Sequence, residues 1–250
     1  MKNNWDKLFG KKDFSYYSKS YNLKKYDNNF LNSFNQAKVI YPELNKQKFR
    51  EILKFIEKII KFKKKSSLLD FGSGNGCFLN FFIKKFALKN NISLEVSKNL
   101  IDLQKRELKF TKFIKTNSKE FKIDKIKDFK VNASICLSCF QYFKSYKYAR
   151  KVMEFLLRVS KNVILIYDIK DFNKKKHYRD SVRLRQNLTK SEFFKKYKNF
   201  PLRYYRRSFF SNILSKNKHK TTFKYYFLKL PNSATDNKYG YCLIILRKNI

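Results

Sequence analysis

The sequence predicts an α/β fold: a doubly wound, mostly parallel seven-stranded sheet with an antiparallel C-terminal hairpin. Three observations carry this expectation. From about residue 46 onward, short apolar runs rich in β-branched residues alternate with amphipathic helical stretches, the pattern of successive βαβ units. A turn built on Gly72, Gly74 and Gly76 joins the first apolar run to the start of a helix. Two closing runs, 222–230 and 239–247, are separated by a loop that begins at Pro231, which suits a hairpin.

Residues 1–45 are set apart as an arm. They are polar and tyrosine-rich, with Phe14, Tyr16, Tyr17, Tyr21 and Tyr26, and show no sustained period. Two readings stay open: a solvated arm, or a lid over the ligand edge of the domain, since tyrosine stacks on rings and still hydrogen-bonds. The stretch 46–250 is the domain proper. Its first helix is expected over 46–62, where Phe49, Ile52, Leu53, Ile56, Ile59 and Ile60 fall on one stripe with lysines opposite. Strands follow at 67–71, 92–96, 113–116, 131–138 and 162–168, with helices from Cys77 to about Leu88 and from Lys98 to Leu108. Ser145 is the expected N-cap of a further helix, whose stripe is Ala149, Val152, Met153, Leu156 and Val159. In such sheets ligands bind outside the carboxyl ends of the strands, so Gly72, Glu95, Asn117, Ser138 and Asp168 are expected to gather.

Charge narrows the partners. The chain has 59 Lys+Arg against 19 Asp+Glu, a formal net charge of +40. Codon bias of an AT-rich genome accounts for an excess of Lys, Asn, Ile, Phe and Tyr. It does not account for the scarcity of acids. Such a balance attracts anions: nucleic acid, anionic lipid or a phosphorylated substrate. Cys77, Cys136, Cys139 and Cys242 lie in apolar contexts and read as reduced thiols. Cys136 and Cys139 form a C-x-x-C, but no second pair completes a metal set, so no metal is expected. The first residues lack the apolar core of a signal peptide and no run reaches membrane-spanning length, so a cytoplasmic protein is expected.

The glycine spacing separates ligand classes. Dinucleotide turns use G-x-G-x-x-G, whereas here Asp70 precedes Gly72-Ser73-Gly74-Asn75-Gly76. No Lys-Ser/Thr follows, which excludes a phosphate-cradling P-loop. Glu95 closes the second strand roughly 20 residues beyond the glycines, where a carboxylate can accept both hydroxyls of a ribose.

The run from Asp70 to Gly76, with Glu95 and the order of strands and helices, resembles the class I S-adenosylmethionine-dependent methyltransferases. The resemblance implies S-adenosylmethionine as cofactor and methyl transfer as the activity. It implies that Asp70, Gly72, Ser73, Gly74, Asn75 and Gly76 hold the methionine part and Glu95 the ribose. It also implies that Asn117 and Ser118 face the adenine, where Asn replaces the family's commoner Asp, and that Ser138 and Cys139 line the sulfur.

The segment after the fourth strand, Ser138-Cys139-Phe140-Gln141-Tyr142-Phe143, has no proline. It lacks the Asp/Asn-Pro-Pro-Tyr/Phe of enzymes that methylate amino nitrogens and the Pro-Cys of RNA cytosine-C5 enzymes. It resembles instead the small-molecule enzymes, including those of sugar and cell-envelope pathways. Candidate catalytic groups are Asp168, Tyr142 and His177, with Gln141 positioning the acceptor. A basic insert, 173–207, carries Arg179, Arg183, Arg185, Arg203, Arg206 and Arg207 among Tyr178, Tyr197, Tyr204 and Tyr205. Arginine binds phosphate bidentately, so Arg179 and Arg183 are candidate acceptor ligands, unless the insert is only a solvated helix pair. The first expectation is transfer to oxygen of a small-molecule or glycan-like acceptor, phosphorylated or nucleotide-linked. An RNA acceptor and a non-catalytic binding module are the alternatives.

Overall fold

A computed structural model describes residues 44–117, 129–198, 202–217, 222–230 and 237–247, together with Ser33, Asn35 and Ala37. The arm 1–45, apart from these few positions, and Ser118 therefore lie outside the described residues. The first described helix, α1 (Lys46–Ile60), starts where the Asn45 side chain accepts from the Lys48 N–H, and it buries Phe49, Ile52, Leu53, Ile56 and Ile60. Then follow β1 (Leu68–Phe71), α2 (Cys77–Phe86), β2 (Asn91–Glu95), α3 (Lys98–Glu107), β3 (Thr111–Lys115) and β4 (Val131–Leu137). A 3-10 turn (Phe140–Tyr142) leads to α4 (Tyr146–Val159), capped by Ser145 as its sequence predicts. The chain continues through β5 (Ser160–Lys170), α5 (Lys175–Arg185), α6 (Lys190–Tyr197), α7 (Arg207–Asn217), β6 (Phe223–Lys229) and β7 (Gly240–Arg247).

The strands form one seven-stranded sheet in the order β3-β2-β1-β4-β5-β7-β6. The first five pair in parallel, and β7 pairs antiparallel with both β5 and β6. The order reverses between β1 and β4, and that reversal opens a crevice at their carboxyl ends. Every residue of β1 is buried, as a central strand covered on both faces requires. Side-chain alternation splits the core in two. Leu69, Phe71, Ile164, Ile166, Leu243 and Ile245 pack with α4 and α7. Leu68, Ala133, Ile135, Leu165 and Ile244 pack with α1 and α2 on the other face. A large aliphatic or aromatic side chain so buried contributes about 1.5–3 kcal/mol.

Two expectations are corrected. Strand β5 does not end at Asp168: it runs on to Lys170, pairing Ile169 with Tyr241 and Lys170 with Gly240 after a bulge. Asp168 sits in that bulge in the left-handed region (φ 59°), and the extra residue resets the phase so that Ile169 faces the same layer as Ile166. The following turn is capped instead by Asp171, whose side chain accepts from the Asn173 N–H. The third strand also lies earlier than expected, at Thr111–Lys115 rather than 113–116; the insert 173–207 holds the helix pair α5 and α6, and α7 directly after it buries Phe210, Ile213 and Leu214.

Candidate active site

The glycine turn leaves β1 at the point of strand reversal. The Gly72 and Ser73 N–H groups both donate to the Leu94 carbonyl of β2 (2.8 and 3.2 Å), and the Gly76 N–H donates to Ser73 O (2.9 Å). Gly72 (φ 71°) and Gly76 (φ 78°) take conformations that L side chains reach only under strain. Both also sit against neighbours. A β-carbon on Gly72 would stand 2.4 Å from Cys139 Sγ, and one on Gly76 would stand 3.0 Å from Gln104 Cγ.

Behind the turn lies a closed polar network. Ser93 Oγ donates to Gln104 Oε1 (2.6 Å), while Gln104 Nε2 donates to Ser73 Oγ (2.9 Å) and to the Gly74 carbonyl (2.6 Å). The Ser73 and Ser93 hydroxyls lie 2.7 Å apart, which closes the ring. All three side chains are buried, so the network fixes the turn where water could not. In front, Glu95 ties the turn to β2. Its Oε2 accepts from the Gly74 N–H (2.8 Å), and its Oε1 accepts from the N–H groups of Val96 (2.8 Å) and Ser97 (3.0 Å).

These groups border a cavity of about 940 Å³, counting its open mouth. Of the residues expected at the site, it is lined by Asp70, Gly72, Ser73, Gly74, Asn75, Glu95, Ser138, Cys139 and Tyr142. Asp70 is 2% exposed, and no described residue donates a hydrogen bond to its carboxylate. Desolvation first and the Glu95 charge second push its carboxyl up to about 8. Asn75 is buried, and its Oδ1 accepts from the Cys77 N–H at 3.4 Å. Gly76 stands behind the lining as the N-cap of α2.

Other expected residues lie elsewhere. Asn117 is exposed, and its carbonyl accepts from the Tyr148 hydroxyl (3.1 Å), while Thr116 and Tyr148 line the cavity in its place. Asp168 stands one residue back from the wall. It accepts from Ser138 Oγ (2.9 Å) and from Lys170 Nζ (2.9 Å), and Lys170 also lies 4.8 Å from the centre of the Tyr178 ring. Its geometry orients Ser138. Gln141 is buried and donates to the Ser138 carbonyl (3.0 Å). His177 is exposed on α5 and away from the lining. Arg179 and Arg183 are likewise away from it. Arg179 covers the Phe194 ring at 4.6 Å, and Arg183 donates to the Leu188 carbonyl (3.2 Å), closing the α5–α6 connection.

The part of the insert that does reach the site is its last stretch. The Arg203 N–H donates to Gln141 O (2.8 Å), Arg203 Nε donates to Phe143 O (2.7 Å), and Tyr205 Oη donates to Phe140 O (2.8 Å). These bonds clamp the post-β4 segment from below. Phe71, Cys77, Phe78, Val96, Leu100 and Leu137 also line the cavity without having been expected there, and Gln104 behind the turn was missed as well. Gln104 carried a signal: an amide four residues after Leu100, on the buried stripe of α3.

All four cysteines are free thiols. Among the described residues, no group of three or more His, Cys, Asp and Glu side chains could hold a metal, and no helix is long and apolar enough to cross a membrane.

No protein-family model matches this chain, and no curated protein matches it in sequence. Solved structures do match in fold. A methyltransferase described as S-adenosylmethionine-dependent, from Clostridium acetobutylicum ATCC 824, superposes with a TM-score of 0.56 at 12% identity, over 88% of this chain and 99% of that one. The plantazolicin methyltransferase BpumL, solved with SAH and a desmethyl plantazolicin analogue, gives 0.53 at 19% identity over 82% and 85%. The small RNA methyltransferase HEN1 gives 0.53 at 14% identity over 93% of this chain, which spans only 27% of HEN1. Sheet order, parallel and antiparallel pairing, and these superpositions agree: the chain has the class I S-adenosylmethionine-dependent methyltransferase fold.

Proposed function

We propose that this protein is an S-adenosylmethionine-dependent methyltransferase, with 46–250 as its catalytic domain, that transfers methyl directly to an oxygen of an anionic acceptor. The sequence reading makes that acceptor small or glycan-like, with RNA as the alternative. The observation that carries the reading is the pairing of two buried carboxylates, Asp70 and Glu95, on either side of a glycine turn at the strand reversal. The Gly74, Val96 and Ser97 N–H groups hold the Glu95 carboxylate at the cavity wall, where it suits the ribose hydroxyls. Asp70 supports the methionine ammonium, because a buried carboxylate that lacks a donor gains most from a cation. Leu100, Val96 and Thr116 suit the adenine side, and Ser138, Cys139 and Tyr142 the sulfur side.

The cofactor supplies an activated sulfonium methyl. The protein's share is to align the acceptor and exclude water. Desolvation and the Asp168 charge both push the Tyr142 phenol up, so at neutral pH it can donate a hydrogen bond to the acceptor but does not serve as its base. Asp168 and His177, off the lining, serve the reaction at most through Ser138 and through the surface. An acceptor oxygen that is already ionised, or that yields its proton to solvent, needs no further base.

Titration calorimetry with S-adenosylhomocysteine tests the reading, with Gly74→Arg as the blocked control. Heat with the natural protein and none with the variant is expected. No heat with either would make the chain a non-catalytic module of the same fold.

A further inference from the structure

Three large rings stand exposed beside one backbone segment: Tyr142, which lines the cavity, and Tyr146 and Phe172, which do not. Tyr142 is 46% exposed, Tyr146 44% and Phe172 36%. A folded chain gains by covering such rings, so a group of them beside a site marks a contact surface. Two carry a guanidinium. Arg203 lies 5.5 Å from the Tyr146 ring centre, and Arg206 lies 4.6 Å from that of Phe172. One stretch of backbone holds all of them. The Arg203 N–H donates to Gln141 O beside Tyr142 (2.8 Å), Tyr146 Oη donates to Tyr204 O (3.0 Å), and the Phe172 N–H donates to Tyr205 O (3.1 Å). Since 203–206 is a single short segment, the Cα atoms of Arg203 and Arg206 are at most about 11 Å apart, so the rings they cover belong to one neighbourhood. Lys144 and Lys147 are exposed beside the same rings.

We infer that this rim is a docking track for single-stranded RNA, which delivers the acceptor nucleotide past Tyr142 into the cavity; the inference rests on the methyltransferase reading and chooses between its acceptors. Charge alone would suit any polyanion. The rings decide the class. Unpaired bases stack on tyrosine, phenylalanine and arginine planes, whereas a duplex hides those faces and an acidic peptide has none. Arg206 over Phe172 offers a cation and a plane together, with Lys144 and Lys147 as further phosphate contacts, while the Arg203 side chain is held by the Phe143 and Lys144 carbonyls and backs the Tyr146 ring.

The test is fluorescence anisotropy of a labelled 12-nucleotide single-stranded RNA, run beside S-adenosylhomocysteine calorimetry on the same preparations. A protein of this charge binds RNA through lysine alone, so the informative variants preserve charge. Phe172→Leu with Tyr146→Leu removes two rings, and Arg206→Lys keeps the cation but loses the plane. Loss of stacking lowers RNA affinity by roughly 5- to 100-fold per base, while S-adenosylhomocysteine binding and the melting temperature of the Arg206→Lys protein stay unchanged. Lys54→Ala with Lys58→Ala, on the exposed face of α1, lowers RNA affinity far less. Equal RNA binding by the ring variants and the natural protein, equal affinity for a hairpin duplex, or equal competition by polyglutamate would each overturn the track. S-adenosylhomocysteine binding without RNA binding would remove the track and leave the enzyme reading standing. RNA binding without S-adenosylhomocysteine binding would remove the enzyme reading instead.

Discussion

Cys139 closes over Gly72: its sulfur occupies the space that any side chain at position 72 would need, 2.4 Å from where a β-carbon would fall. The first residue after β1 and the second after β4 thus interlock across the strand reversal. Gly72→Ala is expected to cost roughly 2–5 kcal/mol, combining left-handed strain with overpacking. Adding Cys139→Ala removes the sulfur contact and recovers most of the overpacking share, while the β-carbon of residue 139, at 3.1 Å, and the strain stay. Urea unfolding of the two single variants and the double variant measures the coupling, and simple additivity would count against the interlock.

The same cysteine offers a chemical reporter. Cys77, Cys136 and Cys242 are buried, and Cys139 is half-buried on the cavity wall. Burial also pushes the thiols of Cys77 and Cys136 up, further from the reactive thiolate. Iodoacetamide is therefore expected to label the folded protein once, at Cys139, and S-adenosylhomocysteine to slow that labelling at least several-fold. Intact mass and peptide mapping read both outcomes. Unslowed labelling of Cys139 would mean that the ligand does not reach this wall.

Gln104 holds the glycine turn from behind with two donated bonds and one accepted. Gln104→Leu removes three hydrogen bonds and strands the Gly74 carbonyl, while the Ser73 and Ser93 hydroxyls keep only their bond to each other. A stranded group costs about 1–3 kcal/mol. The expected result is a lower urea midpoint together with weakened S-adenosylhomocysteine binding, although Gln104 does not line the cavity. Unchanged ligand affinity in a destabilised variant would confine Gln104 to the core.

Asp70 makes both stability and binding depend on pH. Burial and the Glu95 charge raise its carboxyl from the ordinary 3.8 to about 8 in the folded chain. Between those values the folded state binds more protons than the unfolded state, so this group makes stability fall as pH rises from about 4 to 8. Asp70→Asn removes that slope. The proposed ammonium contact needs the ionised form, so S-adenosylhomocysteine binding tightens over the same range and releases a proton at pH 7. Calorimetry in buffers of different ionisation enthalpy detects the proton, and a heat that does not depend on buffer would sink the Asp70 contact.

The strand and helix order was legible because its signals are periodic and local. The stripes on α1 and α4, the Ser145 cap and the glycine turn each follow from a few neighbouring residues. Glu95 was legible because a strand end fixes its place. What escaped depended on distant partners. The bulge at Asp168 is imposed by pairing with β7, far along the chain, and it turns a candidate base into the partner of Ser138 and Lys170. Arg179 and Arg183 match a phosphate site in type, but their positions on α5 direct them to Phe194 and Leu188. Arg203 lies in the same insert and reaches the post-β4 segment through the Gln141 and Phe143 carbonyls, and Arg206 covers the Phe172 ring. Composition does not distinguish the two pairs.

Strand β7 lies between β5 and β6, although it follows both in the chain. A chain released without residues 240–247 would leave the edge of β5, with Ile164 and Ile166, open to other chains, and β6 would have no strand to join. The sheet is therefore completed by insertion rather than by growth at its rim. The arginine-bearing segment that borders the cavity depends on that last step, because Tyr241 Oη donates to the Tyr205 carbonyl (3.2 Å). The crevice at β1, β2 and β4 is encoded ahead of β7, the strand that ties down the 203–206 segment beside it.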